Sequence, residues 1–134
     1  MQTYKNYLKS INNSYNYKLR KPVFRSSAIF PFIVNKQLNT SVHFLGYWLI
    51  KRNIKQITIL ISVRDIKGNL IDRKTLEINT VKAYKISLKD LVNFNQSMNN
   101  FGSIELEVFS SQDMMYPYPA FVINYEGKET SSVV

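Results

Sequence analysis

Residues 56–78, QITILISVRDIKGNLIDRKTLEI, decide the fold. Ile57, Ile59, Ile61 and Val63 recur at every second position with Thr58, Ser62 and Arg64 between them, the period of a half-buried strand. Leu60 alone breaks the polar face. The return strand sets Leu76 and Ile78 on one side and Thr75 and Glu77 on the other. Asp65-Ile66-Lys67-Gly68-Asn69 lies between them as a tight reversal, with Gly68 and Asn69 as the residues that tolerate positive φ. The stretch is a hairpin, and a core is built against it.

Working outward toward the C-terminus, residues 81–88 alternate approximately, Tyr84, Ile86 and Leu88 against Lys82, Lys85 and Ser87, and read as a strand. Ser87-Leu88-Lys89-Asp90 resembles a capping box with Asp in place of Glu and predicts one helical turn through Leu91, Val92 and Phe94. Residues 95–100 are a loop. Residues 101–110 form the second clear strand, with Ile104, Leu106 and Val108 inward and Ser103, Glu105 and Glu107 outward. After a loop at 111–118, residues 119–125 close the sheet.

Toward the N-terminus, residues 42–50, VHFLGYWLI, carry apolar side chains on both faces: Val42, Phe44, Trp48 and Ile50 against Leu45, Tyr47 and Leu49. That pattern predicts a strand covered on both sides, by the core and by the arm, a helix or a partner subunit. Residues 35–41 read as a turn. Residues 23–34 are apolar with Pro31 in their middle, which predicts an edge strand or a strand broken by a bulge. The chain therefore reads as all-β, an antiparallel β-sandwich or jelly-roll-like barrel of about seven strands with one short helical turn over residues 23–134, preceded by an arm at 1–22.

A chain of 134 residues is about one domain and buries roughly two-thirds of its unfolded surface. It has no cysteine, which excludes disulfide scaffolds, thiolate zinc sites and cysteine nucleophiles. The longest apolar runs are too short for a membrane-spanning helix, and the polar first residues lack a signal-peptide core, so a cytoplasmic location is expected. The apolar ending Ser-Val-Val suits a segment of something longer. Charge is segregated. The first acid is Asp65; residues 1–64 carry 11 basic groups and no acid, and residues 65–134 carry 7 basic and 9 acidic groups. Abundant Lys, Asn, Ile and Tyr, 50 residues together, reflect an AT-rich composition that explains the lysines better than the missing acids.

The arm interleaves cations with aromatics. Lys5, Lys9, Tyr15, Tyr17, Lys18, Arg20 and Lys21, continued by Arg25, suit phosphate neutralisation and base stacking, which points to nucleic acid or another polyanion bound without sequence specificity. The competing reading packs the arm on a neighbouring subunit or leaves it loose. Met114, Met115, Tyr116 and Tyr118, with Pro117 and Pro119, put soft apolar groups in a loop, either as a partner contact or as a plug for one end of the sandwich. Glu105 and Glu107 are two apart on one strand face, about 7 Å between roots, a separation a glycosidase pair could use. Alternating polar residues are better read as a solvated face. Lys67 occupies a position where a calcium loop needs oxygen, and no phosphate-loop or nucleophile-elbow motif is present. His43 is the only histidine and reads as structural. No catalytic residue, metal ligand or cofactor is expected. The composite expectation is a non-enzymatic interaction module that self-associates and binds a protein partner, with polyanion binding by the arm or carbohydrate binding by exposed aromatics as alternatives.

Over residues 39–125 the order of features resembles the small all-β proteins of the sensory rhodopsin transducer family. The features are the Ile57-Thr58-Ile59 strand, the Asp65 and Gly68 turn, the Leu76 and Ile78 strand, the segment with Ile86, Leu88, Asp90 and Leu91, the Ser103-Ile104 strand start and the strand led by Pro119. The resemblance implies a homo-oligomeric sandwich that works by binding and carries over no catalytic residues. The basic arm and the Tyr-Pro loop depart from that pattern.

Overall fold

The strand pairings nest. In the computed structural model, which describes residues 23–51, 53–112, 121–127 and 131–133, the strands are β1 (Phe24–Val34), β2 (Leu38–Leu45), β3 (Ile57–Asp65), β4 (Leu70–Ile78), β5 (Ala83–Ser87), β6 (Asn100–Ser110), β7 (Val122–Gly127) and β8 (Ser131–Val133). Two short helices, α1 (Tyr47–Lys51) and α2 (Leu88–Leu91), lie in the connections. β3 pairs with β4, β2 with β5 and β1 with β6, all antiparallel, so the first six strands form one long ribbon doubled back at the 66–69 turn. The ribbon is wound so that β6 also meets β3 and β7 joins β2, giving two four-stranded sheets, β1-β6-β3-β4 and β5-β2-β7-β8. That is the jelly-roll form of the expected sandwich, and β8 brings the count to eight.

Alternation fills the space between the sheets. Ile57, Ile59, Ile61 and Val63 are at most 3% exposed, and Ile104, Leu106 and Val108 are fully buried beside them. Val42 and Ile123 answer from the second sheet within the same core cluster. Each such side chain contributes about 1.5–3 kcal/mol on leaving water, so this layer dominates the favourable side of folding. As expected, β1 is an edge strand, and Pro31 sits in it without a register shift. At its C-terminal half the edge is closed by side chains. The Thr40 hydroxyl accepts from the Ile33 N–H at 3.0 Å and donates to the Ile33 carbonyl at 2.8 Å. The Tyr125 hydroxyl donates to the Pro31 carbonyl at 2.7 Å, and burial raises its pKa.

The double-sided strand expected at 42–50 is two elements. β2 stops at Leu45, and Gly46 turns the chain into α1, with its own N–H donating to the Lys82 carbonyl at 3.2 Å. A Cβ at Gly46 would lie 3.0 Å from the Thr80 carbonyl, so a larger residue there would press on that connection. Asn53, at φ 49°, follows the helix in the left-handed region, and the Ile54 N–H returns to the Trp48 carbonyl at 3.4 Å. The second apolar face of 42–50 is thus a helix lying across one end of the sandwich, and the outer face of β2 is polar, with Asn39, Ser41 and His43. Rings gather under α1. Phe44 stacks on Tyr84 at 5.0 Å and meets Phe121 edge-on at 5.2 Å, and Trp48, 2% exposed, stacks with Tyr47 at 4.7 Å. This end is closed.

Four local expectations are also revised. The turn before β2 is residues 35–37, since the strand begins at Leu38, and the strand expected from 81 begins at Ala83. Ser87 makes no side-chain cap on α2; the Asn39 Oδ1 accepts the Lys89 N–H at 3.2 Å instead, because β2 brings that side-chain amide to the helix start. In the hairpin turn Gly68 has φ +87°, whereas Asn69 is not in the positive-φ region. The register also shifts between Val63 and Arg64, leaving Ile71 as the extra residue of a β-bulge.

Candidate functional site

At the end opposite α1, the 66–69 turn and the connection from α2 to β6 stand apart and leave a groove of about 520 Å³. Phe32, Val92, Phe94 and Phe101 supply its apolar lining, with Ile66 and Ile71 from the hairpin. Phe32 and Phe94 meet at 5.5 Å and are the packed part of it. Ile66 is 79% exposed and Phe101 46%, so the outer part presents large apolar groups to solvent. An adjoining depression of about 360 Å³ shares Phe32, Asp65, Ile66 and Phe101. Leu70 and Met98, 50% and 60% exposed, extend the apolar surface.

Both walls are held by their own hydrogen bonds. Asp65 Oδ1 accepts the N–H groups of Lys67 and Asn69, each at 2.9 Å, and Oδ2 accepts the Asn69 side-chain amide at 3.4 Å. The Asn69 N–H leads in holding the Asp65 carboxyl below its ordinary value; desolvation opposes, and the Lys67 N–H and charge assist. Across the groove, Asn95 Oδ1 accepts the Ser97 hydroxyl at 2.6 Å, while the Asn100 amide donates to the carbonyls of Val34 and Asn95 at 3.0 and 2.9 Å. Asn35 ties this wall to the sandwich through Asn99 at 3.0 Å. Gly102 sets the floor. A Cβ there would lie 1.9 Å from the Arg64 carbonyl oxygen and 2.8 Å from the Phe32 ring, so glycine lets β6 close on β3 and leaves room for Phe32.

Chemically the groove can hold an apolar side chain or ring and offer it amides at the rim. Asp65 is the one carboxylate among its described lining residues, and both its oxygens are engaged in the turn. That leaves no acid/base pair in the groove of the kind hydrolysis uses.

A second polar group lies on the outer face of the β5-β2-β7-β8 sheet. Ser41 Oγ is 3.0 Å from His43 Nε2, and the same hydroxyl is hydrogen-bonded to Glu126. Lys85 pairs with Glu126 at 3.4 Å, and Asn39 and Asn124 donate to it at 3.3 and 3.4 Å. Desolvation raises the Glu126 pKa, but Ser41, Lys85 and Asn39 together outweigh it and hold the carboxyl below its ordinary range. A hydrolytic triad needs the acid on the imidazole and the imidazole on the hydroxyl. Here the acid meets the hydroxyl itself, and Ser41 is fully buried. The group staples β2 to β5 and β7, with the Asn124 Oδ1 left without a partner among the described residues.

Of the sequence candidates, Lys5, Lys9, Tyr15, Tyr17, Lys18, Arg20, Lys21, Met114, Met115, Tyr116 and Tyr118 lie outside the described residues. Arg25 is described, and its guanidinium is paired with Glu107 at 2.7 Å. Glu105 pairs with Arg64 at 3.3 Å, so each of the two glutamates has a cation of its own. Among the described residues no group of acids or histidines is placed to hold a metal ion, and no helix is long and apolar enough to cross a membrane. The groove was missed because Phe32, Ile66, Phe94 and Phe101 are far apart in sequence. One signal was available, the lone Gly102 within a strand pattern, which marks a close approach of backbones. Comparison with protein-family models, with curated proteins and with solved structures finds no match to the chain.

Proposed function

We propose that the chain is a non-enzymatic binding module that seats a large apolar side chain of a protein partner in the groove beside the β3–β4 hairpin. The observation that carries this reading is the exposure of Ile66 and Phe101 over a floor of packed phenylalanines. A rigid sandwich bearing an apolar patch rimmed by polar residues is the usual form of an interaction surface. The free amide of Asn93 and the backbone of the 95–99 loop then fix the orientation of the bound segment.

Selection from a displayed peptide library tests this. The expected outcome is enrichment of peptides with one aromatic or large aliphatic anchor, and loss of at least about tenfold in affinity with Ile66→Asp, the scale of one buried anchor. Binders that tolerate both Ile66→Asp and Phe101→Asp would place recognition elsewhere. Phe101 flanked by Asn93, Asn95 and Asn99 also favours a second reading, a sugar ring stacked on the phenyl face with amides at its hydroxyls. A glycan array answered by Phe101→Ala but indifferent to Ile66→Asp would select it.

A further inference from the structure

The two edges of the β1-β6-β3-β4 sheet are treated differently. β4 is guarded: Lys74 alternates with Leu76 and Ile78 and so points between the sheets, where its ammonium donates to the Leu91 carbonyl at 2.9 Å. The bulge at Ile71 twists the same strand. Inward charges and bulges are devices that prevent edge-to-edge pairing. β5 and β8, the edges of the other sheet, are short, at five and three residues. β1 runs for 11 residues with an unbroken register, and Pro31 is its guard.

Which backbone groups of β1 face outward follows from their partners. Ile33 bonds through N–H and carbonyl to Thr40, and the Pro31 carbonyl takes the Tyr125 hydroxyl, all on the side away from β6. Outward groups recur every second residue in an antiparallel ladder, so those of Ile29, Ser27 and Arg25 point the same way. Among the described residues nothing pairs with them. The three residues are exposed, Ile29 at 61%.

We propose that β1 pairs antiparallel with β1 of a second copy about a two-fold axis at Ser27, joining two sheets into one of eight strands. Ser27 then faces Ser27, and Arg25 faces Ile29 of the second copy. The three facing pairs exchange about six backbone hydrogen bonds. Pro31 fixes the register, because a slip of two residues would set it opposite Arg25 with no N–H to give. The charges fit. Ile29 lies beside Glu105 in the ladder, so Arg25 would stand with Glu107 on one side and Glu105 of the second copy about two strand spacings, or about 10 Å, away on the other. A guanidinium and a carboxylate on long stems span that distance. The exposed Ile29 side chains are covered by the aliphatic stem of Arg25 from the other copy. The seam belongs to the class of interfaces below about 1,200 Å², so the association is expected to depend on concentration.

Analytical ultracentrifugation of the full chain, from low-micromolar to near-millimolar concentration, is expected to show a reversible monomer–dimer equilibrium. Ser27→Pro removes an outward N–H and no ladder bond, and Ile29→Lys sets like charges side by side. Each should shift the equilibrium to monomer at least tenfold while leaving the circular dichroism spectrum and melting curve in place. The native chain has no cysteine. Ser27→Cys, at a facing separation near 5.5 Å that a disulfide can bridge, should therefore cross-link on mild oxidation, and Ser111→Cys should not. A chain that stays monomeric throughout overturns the proposal, as does a dimer that survives Ser27→Pro or cross-links equally well at residue 111. Peptide binding by the groove is read separately and does not depend on the outcome.

Discussion

Both ends of the sandwich expose aliphatic side chains, Leu45, Ile50 and Val81 at one and Ile66, Leu70 and Ile71 at the other, but they differ in what they do with their rings. At the α1 end, Phe44, Tyr84, Trp48, Tyr47 and Phe121 are packed on one another, and Trp48 is almost fully buried. At the groove end, Phe101, Ile66, Ile71 and Met98 are left in water. The loops explain the contrast. Those at the groove end satisfy themselves through Asp65, Asn95, Asn100 and Asn35, so their apolar side chains are not needed to hold them. At the other end, a helix of one turn is too short to be stable alone, and rings hold it in place. A polar, self-bonded loop can display a ring, Phe101, where the α1 end packs its rings on one another.

Removing a ring from the closed end should have the largest effect. Trp48→Ala is expected to cost about 3–5 kcal/mol of unfolding free energy, read from the urea midpoint, since it empties a site with almost no exposure. A cost below about 1 kcal/mol would mean that the rings are not what closes that end. Gly102→Ala comes next, because its Cβ would overlap the Arg64 carbonyl and force β6 from β3. A loss near 3 kcal/mol is expected, at the top of the overpacking range.

Acid should separate the ends further. Glu126 lies toward the groove end and its folded pKa is lowered from 4.5, so its contribution is full above that value and is lost as pH falls through the lower folded value. Glu126→Gln should therefore flatten part of the acid-side decline in stability, and Trp48→Ala should leave the shape of that decline unchanged. A Glu126→Gln profile parallel to wild type below pH 4.5 would show that the staple does not hold in solution. The smallest stability effect belongs to Phe101→Ala, expected within about 0.5 kcal/mol of wild type while selected peptides lose affinity. A large stability loss there would erase the distinction between the two ends.

The central hairpin and β6 were legible because one face of each is buried and the other wet, which writes a period of two into the sequence. The same held for the edge position of β1, announced by Pro31. The 42–50 run was not legible, because a strand turning into a buried helical turn leaves no polar face, and an apolar run has no period to read. Lys74 was hidden for the converse reason: it takes the inward register of Leu76 but sits half-exposed at the sheet edge, where its ammonium finds a carbonyl on a distant turn. Asn39 could not be seen as the cap of α2, since nothing local records that β2 begins beside residue 89. The candidate groove was unreadable as a site, being assembled from four stretches of chain that only the winding of the ribbon brings together.

That winding has a consequence for how the chain finds its structure. Nested pairs make each loop closure conditional on the one inside it: once β3 meets β4, the ends that must become β2 and β5 are already close, and their meeting in turn brings β1 and β6 within reach. Entropy is then lost in small steps, although the outermost contacts join residues as distant as Phe24 and Ser110. The hairpin is the natural nucleus, where substitutions slow folding, and β1 is the last strand of the ribbon to dock, where they chiefly hasten unfolding.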